Sequence, residues 1–478
     1  MKRILPLLFT ALCLILCLIP SVGMIAAPTT EPIGNERLSG PPSITNGDGS
    51  FNLSYFTELG SYFGKHFALR KEAIDADAKV TAGVFGTSNI DTVTVGCDGW
   101  LYYTSSLNDY LGKNTMTSRE VSDLVHNLDM IRRYTESKGT GFLFTVAPNK
   151  NTLYPEHMPY YDTLKVSDTH NRDLVNAALK DSDVAYVNLF DLFAQQSEVL
   201  YFKRDSHWNN KGALLAYNAV MDALGKSHDD YAAANVSRRK DFTGDLAKMI
   251  YPAGSEKEYN DDYGAEDAYT YVTDTESVED TLIQTQNPDA AGKLYMYRDS
   301  FGNALVPFFA SAYGEAAFTK GFPMLLENDL DAYRPDTFVM ELVERNLDWL
   351  ITRPPVLSCQ QMSYFKISET LDTDIAAEAK PAEYSSLYTQ FSGTVDSSLL
   401  EDGDVIYVSV TGGGSSAAYE CYGLRAQEEG RTGWIAYAHA DDFKDQTDLT
   451  VSVIIQRGTG FIELGHAPVT IGGNYENQ

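Results

Sequence analysis

The sequence predicts an α/β fold: a doubly wound, mostly parallel sheet with helices on both faces, followed by a smaller all-β, sandwich-like C-terminal domain. Three observations predict it. Apolar runs at 141–148 (GFLFTVAP), 184–189, 294–297 and 337–343 lack polar alternation, as strands buried on both faces do. Between them lie stretches whose apolar residues recur at three- and four-residue steps. From about Tyr384 the pattern changes to short alternating runs split by Gly, Asp and Ser, such as DVIYVSVTGGG and DLTVSVIIQRG, which is an antiparallel signature.

Taken in order, the chain opens with Lys2 and Arg3 and then a long apolar run, followed by Ser21, Gly23, Ala26 and Ala27. This is an export signal. The run is also long enough to remain as a membrane anchor, so residues 1–27 read as either. Residues 28–50 are rich in Pro, Gly, Ser, Thr and Asn and read as a mobile tether. Residues 53–74 carry an amphipathic helical pattern, and Asp98-Gly99 marks a hairpin turn. Thr117 and Glu120 form a capping-box pattern ahead of Val121, Leu124, Leu128 and Ile131. A polar, acidic insert spans 229–291 before the pattern resumes. The expected units are therefore 51–355 for the α/β domain and 380–478 for the sandwich, the latter a carbohydrate-binding module or a purely structural domain.

Composition narrows function. With 37 basic and 66 acidic residues among 478, the formal net charge is -29. The first 27 residues hold two bases and no acid, so their removal would take it to about -31. Such a surface repels nucleic acid and anionic lipid, and an anionic polymer would need a local basic patch. The 30 tyrosines suit sugar or protein surfaces. Beyond the apolar run, which holds Cys13 and Cys17, the cysteines are Cys97, Cys359 and Cys421, too scattered for a disulfide framework or a zinc motif by spacing.

Two stretches carry chemistry. YFKRDSHWNNKG holds Asp205 and His207, with Trp208 next to them and a helix pattern after Asn209 and Asn210. A carboxylate near a histidine can orient the imidazole and stabilise its charged form. If 205–207 is extended, side chains two apart point the same way. About ninety residues on, KLYMYRDSFGNAL places Ser300 where a strand runs into a helix, near backbone N–H groups suited to an oxyanion. Each motif alone also fits a bland role, a surface pair or a helix cap. Together they supply nucleophile, base and orienter at strand ends of one sheet. Gly302, Asn303, Trp208 and Arg298 are the oxyanion or substrate-binding candidates. Lys150, at a strand end, reads as an exposed loop lysine in preference to a site residue, and His126, His157, His170, His228, His439 and His466 as packing or surface residues. No cofactor is called for, and no metal, because Asp205 and His207 lack a third ligand by spacing.

RDSHWN followed by YRDSFG resembles the SGNH-hydrolase-like domain of the AlgX/AlgJ group and the DHHW family of Gram-positive bacteria. DGWLYYTSSLNDY, VAPNKNTLYPEHMP and FVMELVERNL add to the resemblance. Asp-x-His precedes Ser here, whereas ordinary SGNH hydrolases have the serine first. Ser206 stands where the DHHW motif has His, and Arg298 where a glycine is common. The resemblance implies an exported O-acetyltransferase or acetylesterase acting on a secreted or cell-surface polysaccharide through Ser300, His207 and Asp205. It also implies a membrane-bound O-acyltransferase as acetyl donor. The alternative from another class is a non-catalytic glycan-binding or envelope scaffold protein.

Overall fold

The computed structural model describes residues 4–472 apart from 34–35, 323, 363–364, 413–414, 444–445 and 447. Its centre is a seven-stranded sheet. In chain order the strands are β1 (Gly141–Ala147), β2 (Tyr186–Val187), β3 (Thr270–Tyr271), β4 (Leu282–Gln286), β5 (Lys293–Tyr297), β6 (Glu315–Thr319) and β7 (Thr337–Val343). They lie side by side as β2-β1-β7-β5-β6-β4-β3. The five from β2 to β6 are mutually parallel, and β4 pairs antiparallel with β6.

Alternate residues of each strand serve opposite faces. Phe338, Met340 and Leu342 join Phe142, Phe144 and Val146 against helix α1 (Ser118–Ser137), through Leu124, Leu128 and Ile131. Val339 and Val343 face the other way, with Leu143, Leu294 and Met296. There they meet helix α2 (Asn210–Ala223) through Ala216, Tyr217 and Val220, and helix α3 (Val306–Ala312) through Phe308 and Phe309. Burial on both faces is why these strands read as uninterrupted apolar runs. The capping box expected at Thr117 and Glu120 forms and opens α1.

The C-terminal strands form a six-stranded and a four-stranded sheet. They are not insulated from the α/β layers. Asn127 of α1 donates through Nδ2 to the carbonyls of Leu350 (2.7 Å) and Gly423 (2.8 Å) and accepts from Gly423 N–H (2.9 Å). Arg133 pairs with Glu420, and one apolar cluster runs through both regions.

Four expectations need correction. The helix pattern over 53–74 is broken: Tyr55–His66 and Arg70–Phe85 are separate, with Leu69 left-handed at φ 60° between them. The apolar run at 184–189 gives only the two-residue β2, because Asn188 caps a new helix, Leu189–Ala194. The acidic insert adds β3 and β4 to the sheet, with buried Ile283 and Thr285 anchoring β4, and a separate antiparallel pair, Ser237–Phe242 with Glu258–Asp262. The tether is also held down. His66 lies between the carbonyls of Thr29 (2.8 Å) and Ser39 (3.0 Å), and Arg70 pairs with Glu36.

Candidate active site

Ser300 and the Asp205–His207 loop lie beyond the carboxyl ends of the parallel strands, where ligands bind in such sheets. Ser300 follows β5 directly. The loop sits just before α2, whose N-cap is Asn209, its side chain accepting from the N–H groups of Lys211 and Gly212.

The three side chains form one hydrogen-bonded line. Ser300 Oγ lies 2.8 Å from His207 Nε2, and His207 Nδ1 lies 2.7 Å from Asp205 Oδ1. With Nδ1–H donating to the carboxylate, Nε2 is left to accept the serine proton. The pair does not meet by strand alternation, because 203–207 is a turn. Asp205 Oδ1 instead accepts both the backbone N–H (2.8 Å) and the ring N–H of His207. Its Oδ2 accepts from Asp245 N–H at 2.7 Å.

Lys150 supports this loop from beneath and is a correction to the exposed-lysine expectation. It is buried, and its Nζ donates to the carbonyls of Leu101 (2.6 Å), Lys203 (2.8 Å) and Asp205 (2.8 Å). Three acceptors match the three N–H bonds of an ammonium. Burial pulls its pKa down to about 7, against the pull of Asp205, Glu258 and Asp245.

Buried acids hold the turn at Ser300. Asp299 Oδ1 accepts from Phe301 N–H (2.9 Å) and Oδ2 from Val343 N–H (2.7 Å). Glu341, fully buried on β7, accepts from Asp299 N–H at 3.1 Å. A Cβ on Gly302 would stand 2.4 Å from Arg298 Cβ and 2.9 Å from Glu341 Oε2, so only glycine fits there.

The remaining candidates take supporting positions. Trp208 is buried behind the site, and its Nε1 donates to Phe301 O at 3.0 Å. Arg298 is buried too; its guanidinium donates to Asn303 Oδ1 and to Asp280 O, so it reaches the site only through Asn303. Asn303 Nδ2 donates to Glu279 Oε1 at 2.8 Å and lines the cavity.

Charge is unevenly distributed along the line. Burial opposes ionisation of Asp205, yet the His207 charge and the N–H donors hold its carboxyl well below the usual range. Burial likewise opposes the imidazolium, but Asp205 wins and raises the His207 pKa, with Asp245 adding to it. Burial and the Asp205 charge push Asp245 up. Asp245 lies 3.8 Å from His207 Nδ1 and accepts from Ser206 N–H and Oγ–H. It is the third group that spacing could not find: Asp205, His207 and Asp245 offer ligand atoms within 4.8 Å of one another. All of them are engaged in hydrogen bonds with the protein.

Two clefts meet at the Ser300–His207 pair. One, of about 420 Å³, runs past Phe242, Asn260 and Tyr263. The other, of about 660 Å³, runs past Tyr103, Arg345, Pro32 and Ile33. Arg345 sits over the rings of Tyr103 (5.1 Å) and Phe301 (5.6 Å).

Residues 93–296 match the family described as an SGNH hydrolase-like domain of the acetyltransferase AlgX. No curated protein matches the chain. Among solved structures, Bacillus cereus PatB1 is 18% identical with a TM-score of 0.41, over 53% of this chain and 96% of that one. A DHHW family protein from Eubacterium siraeum is 17% identical with a TM-score of 0.38, over 47% and 85%. The O-acetyltransferase domain of Pseudomonas putida AlgJ is 17% identical with a TM-score of 0.35, over 53% and 91%.

Proposed function

We propose that this protein is a serine acyl-transfer enzyme that moves acetyl groups on or off a secreted or cell-surface polysaccharide. The observation that carries the reading is the unbroken line from Ser300 Oγ through His207 to Asp205, opening into two clefts. The match of residues 93–296 to an acetyltransferase family points the same way.

Ser300 Oγ attacks the acetyl carbonyl as its proton passes to His207 Nε2. Asp205 keeps the ring oriented and stabilises the imidazolium. The tetrahedral oxyanion needs donors. Phe301 N–H is committed to Asp299 and one Asn303 Nδ2 hydrogen to Glu279, so Ser300 N–H, Gly302 N–H and the second Asn303 Nδ2 hydrogen are the candidates. His207 then returns the proton to the leaving oxygen, giving acetyl-Ser300. In the second half-reaction His207 takes a proton from a sugar hydroxyl, whose oxygen displaces Ser300. Water in that role gives deacetylation.

Two clefts at one serine favour transfer, since a transferase must present donor and acceptor in turn. The donor is a membrane-bound O-acyltransferase. Helix Pro6–Ala26, with a mean hydropathy of 2.5, is apolar and long enough to cross a membrane. The segment after it passes the cleft at Pro32 and Ile33. Retained, it would hold the site at the outer face of the cytoplasmic membrane; cleaved, it would release the protein outside.

The test is turnover of p-nitrophenyl acetate by the wild type and Ser300→Ala. A loss of about three orders of magnitude or more is expected. Equal rates would reject Ser300 as nucleophile. Glycan binding without turnover in the wild type would favour the scaffold alternative.

A further inference from the structure

A second cluster of reactive side chains lies on the far side of the Lys150 support, at the tip of the hairpin of Val93–Val95 and Leu101–Tyr103. Cys97 Sγ lies 3.6 Å from Asp98 Oδ2 and 3.9 Å from His157 Nδ1. Asp98 Oδ2 is 3.6 Å from the same His157 nitrogen. Thiolate, imidazole and carboxylate are the usual donors to zinc. At bond lengths of about 2.0–2.3 Å, tetrahedral geometry sets neighbouring donors about 3.3–3.6 Å apart. Each edge of this triangle is within a few tenths of an ångström of that.

Several features fix the triangle in place. Gly96 brings the two segments into contact, since a Cβ there would stand 2.5 Å from His157 O. The His157 ring stacks on buried Trp100 at 4.3 Å and 13°. Its other nitrogen, Nε2, lies 3.7 Å from Glu156 Oε1, which adds negative charge beside the ring. Asp98 is held left-handed at φ 55°, an uncommon state for a residue with a Cβ. Cys97 and Asp98 are exposed and His157 half-buried, so an ion can enter and a fourth position stays open. Cys359 and Cys421 are buried and cannot compete.

We propose that Cys97, Asp98 and His157 form an exchangeable site for one zinc-type divalent transition ion, separate from the Ser300 site. Binding breaks the Cys97 S–H bond, forms a metal–sulfur bond and releases one proton to solvent. No change of oxidation state is involved.

Cobalt(II) serves as probe. Tag-free, full-length protein in detergent, stripped with chelator and reduced, is titrated with Co²⁺ and followed by absorption, then challenged with Zn²⁺. A thiolate-to-cobalt charge-transfer band saturating at one equivalent and quenched by Zn²⁺ is expected. Cys97→Ser should abolish the band, and His157→Gln should weaken Co²⁺ binding about tenfold or more. Both variants' melting temperatures are read alongside. If either variant unfolds, the exposed Asp98→Asn substitutes for it and should also weaken binding. Absence of the band in the wild type, its persistence in Cys97→Ser, or unchanged affinity in every folded variant would overturn the proposal. Ser300→Ala should bind Co²⁺ as the wild type does; loss of binding in that variant would show that the two sites are not separate.

Discussion

The loop that carries His207 and the turn that carries Ser300 are braced in opposite ways. The loop rests on a buried cation: Lys150 gathers three backbone carbonyls, one of them that of Asp205. The turn rests on buried acids: Asp299 and Glu341 gather backbone N–H groups from β7 and from the turn. The acids are pushed in opposite directions. His207 and the N–H donors hold the Asp205 carboxyl well below its usual range against its burial, whereas burial and neighbouring Asp299 push Glu341 well above its own. A base–orienter pair must bear changing charge during reaction, and its brace supplies charge. A nucleophile's turn needs only a fixed shape, and its brace supplies mostly hydrogen bonds and tight packing.

That contrast predicts unequal responses to substitution. The largest is expected for Gly302→Ala, where the added methyl would meet Arg298 Cβ at 2.4 Å. The turn must move, which should lower kcat about 100-fold and stability by about 1–3 kcal/mol. Steady-state kinetics and a thermal melt would check both, and a wild-type kcat would show that the turn's shape is not fixed by packing. Next comes Lys150→Met, which keeps the aliphatic stem but leaves three carbonyls without their donor. A loss of about 2–3 kcal/mol and a kcat about tenfold lower are expected, since Asp205 is loosened but not removed. A melting temperature within one degree of wild type would contradict the cation-brace account.

The smallest effect is a shift in pH profile. In the proposed reaction His207 acts as base only when neutral, and Asp205 and Asp245 raise its pKa. Activity should therefore rise with pH through a midpoint above about 6.5, the ordinary histidine value. Asp245→Asn removes one of the two carboxylates and should move that midpoint down, with little change in the plateau. An upward or absent shift would remove Asp245 from the site's electrostatics. The same raised pKa makes a stability contribution fully present below about 6.5 and lost as pH rises through the folded value.

The sequence made much of this legible, and the boundary falls at long-range contacts. The strand Thr337–Val343 is visible because every position is buried. The start of α1 is visible because its cap is local. Asp205, His207 and Ser300 stood out because each sits at a strand or helix end with distinctive neighbours. Lys150 did not: a lysine after a strand looks like a loop residue until the 203–205 carbonyls close over it. Asp245 follows a glycine in an acidic insert and has no spacing signal toward His207. Glu341 is signalled by being the one acid in an otherwise largely apolar strand. By sequence Arg298 is an oxyanion or substrate-binding candidate, whereas burial turns it toward Asn303 and Asp280. His157 lies 60 residues from Cys97, so only folding discloses their proximity.

The position of β7 has a consequence for biogenesis. It is the last strand of the central sheet to leave the ribosome, yet it lies between β1 and β5. Until residue 343 has been added and paired, β1 and β5 have no common neighbour, and Asp299 lacks the Val343 N–H that helps to shape the Ser300 turn. The Ser300 turn therefore gains its full set of backbone hydrogen bonds only when the last strand of the sheet has joined.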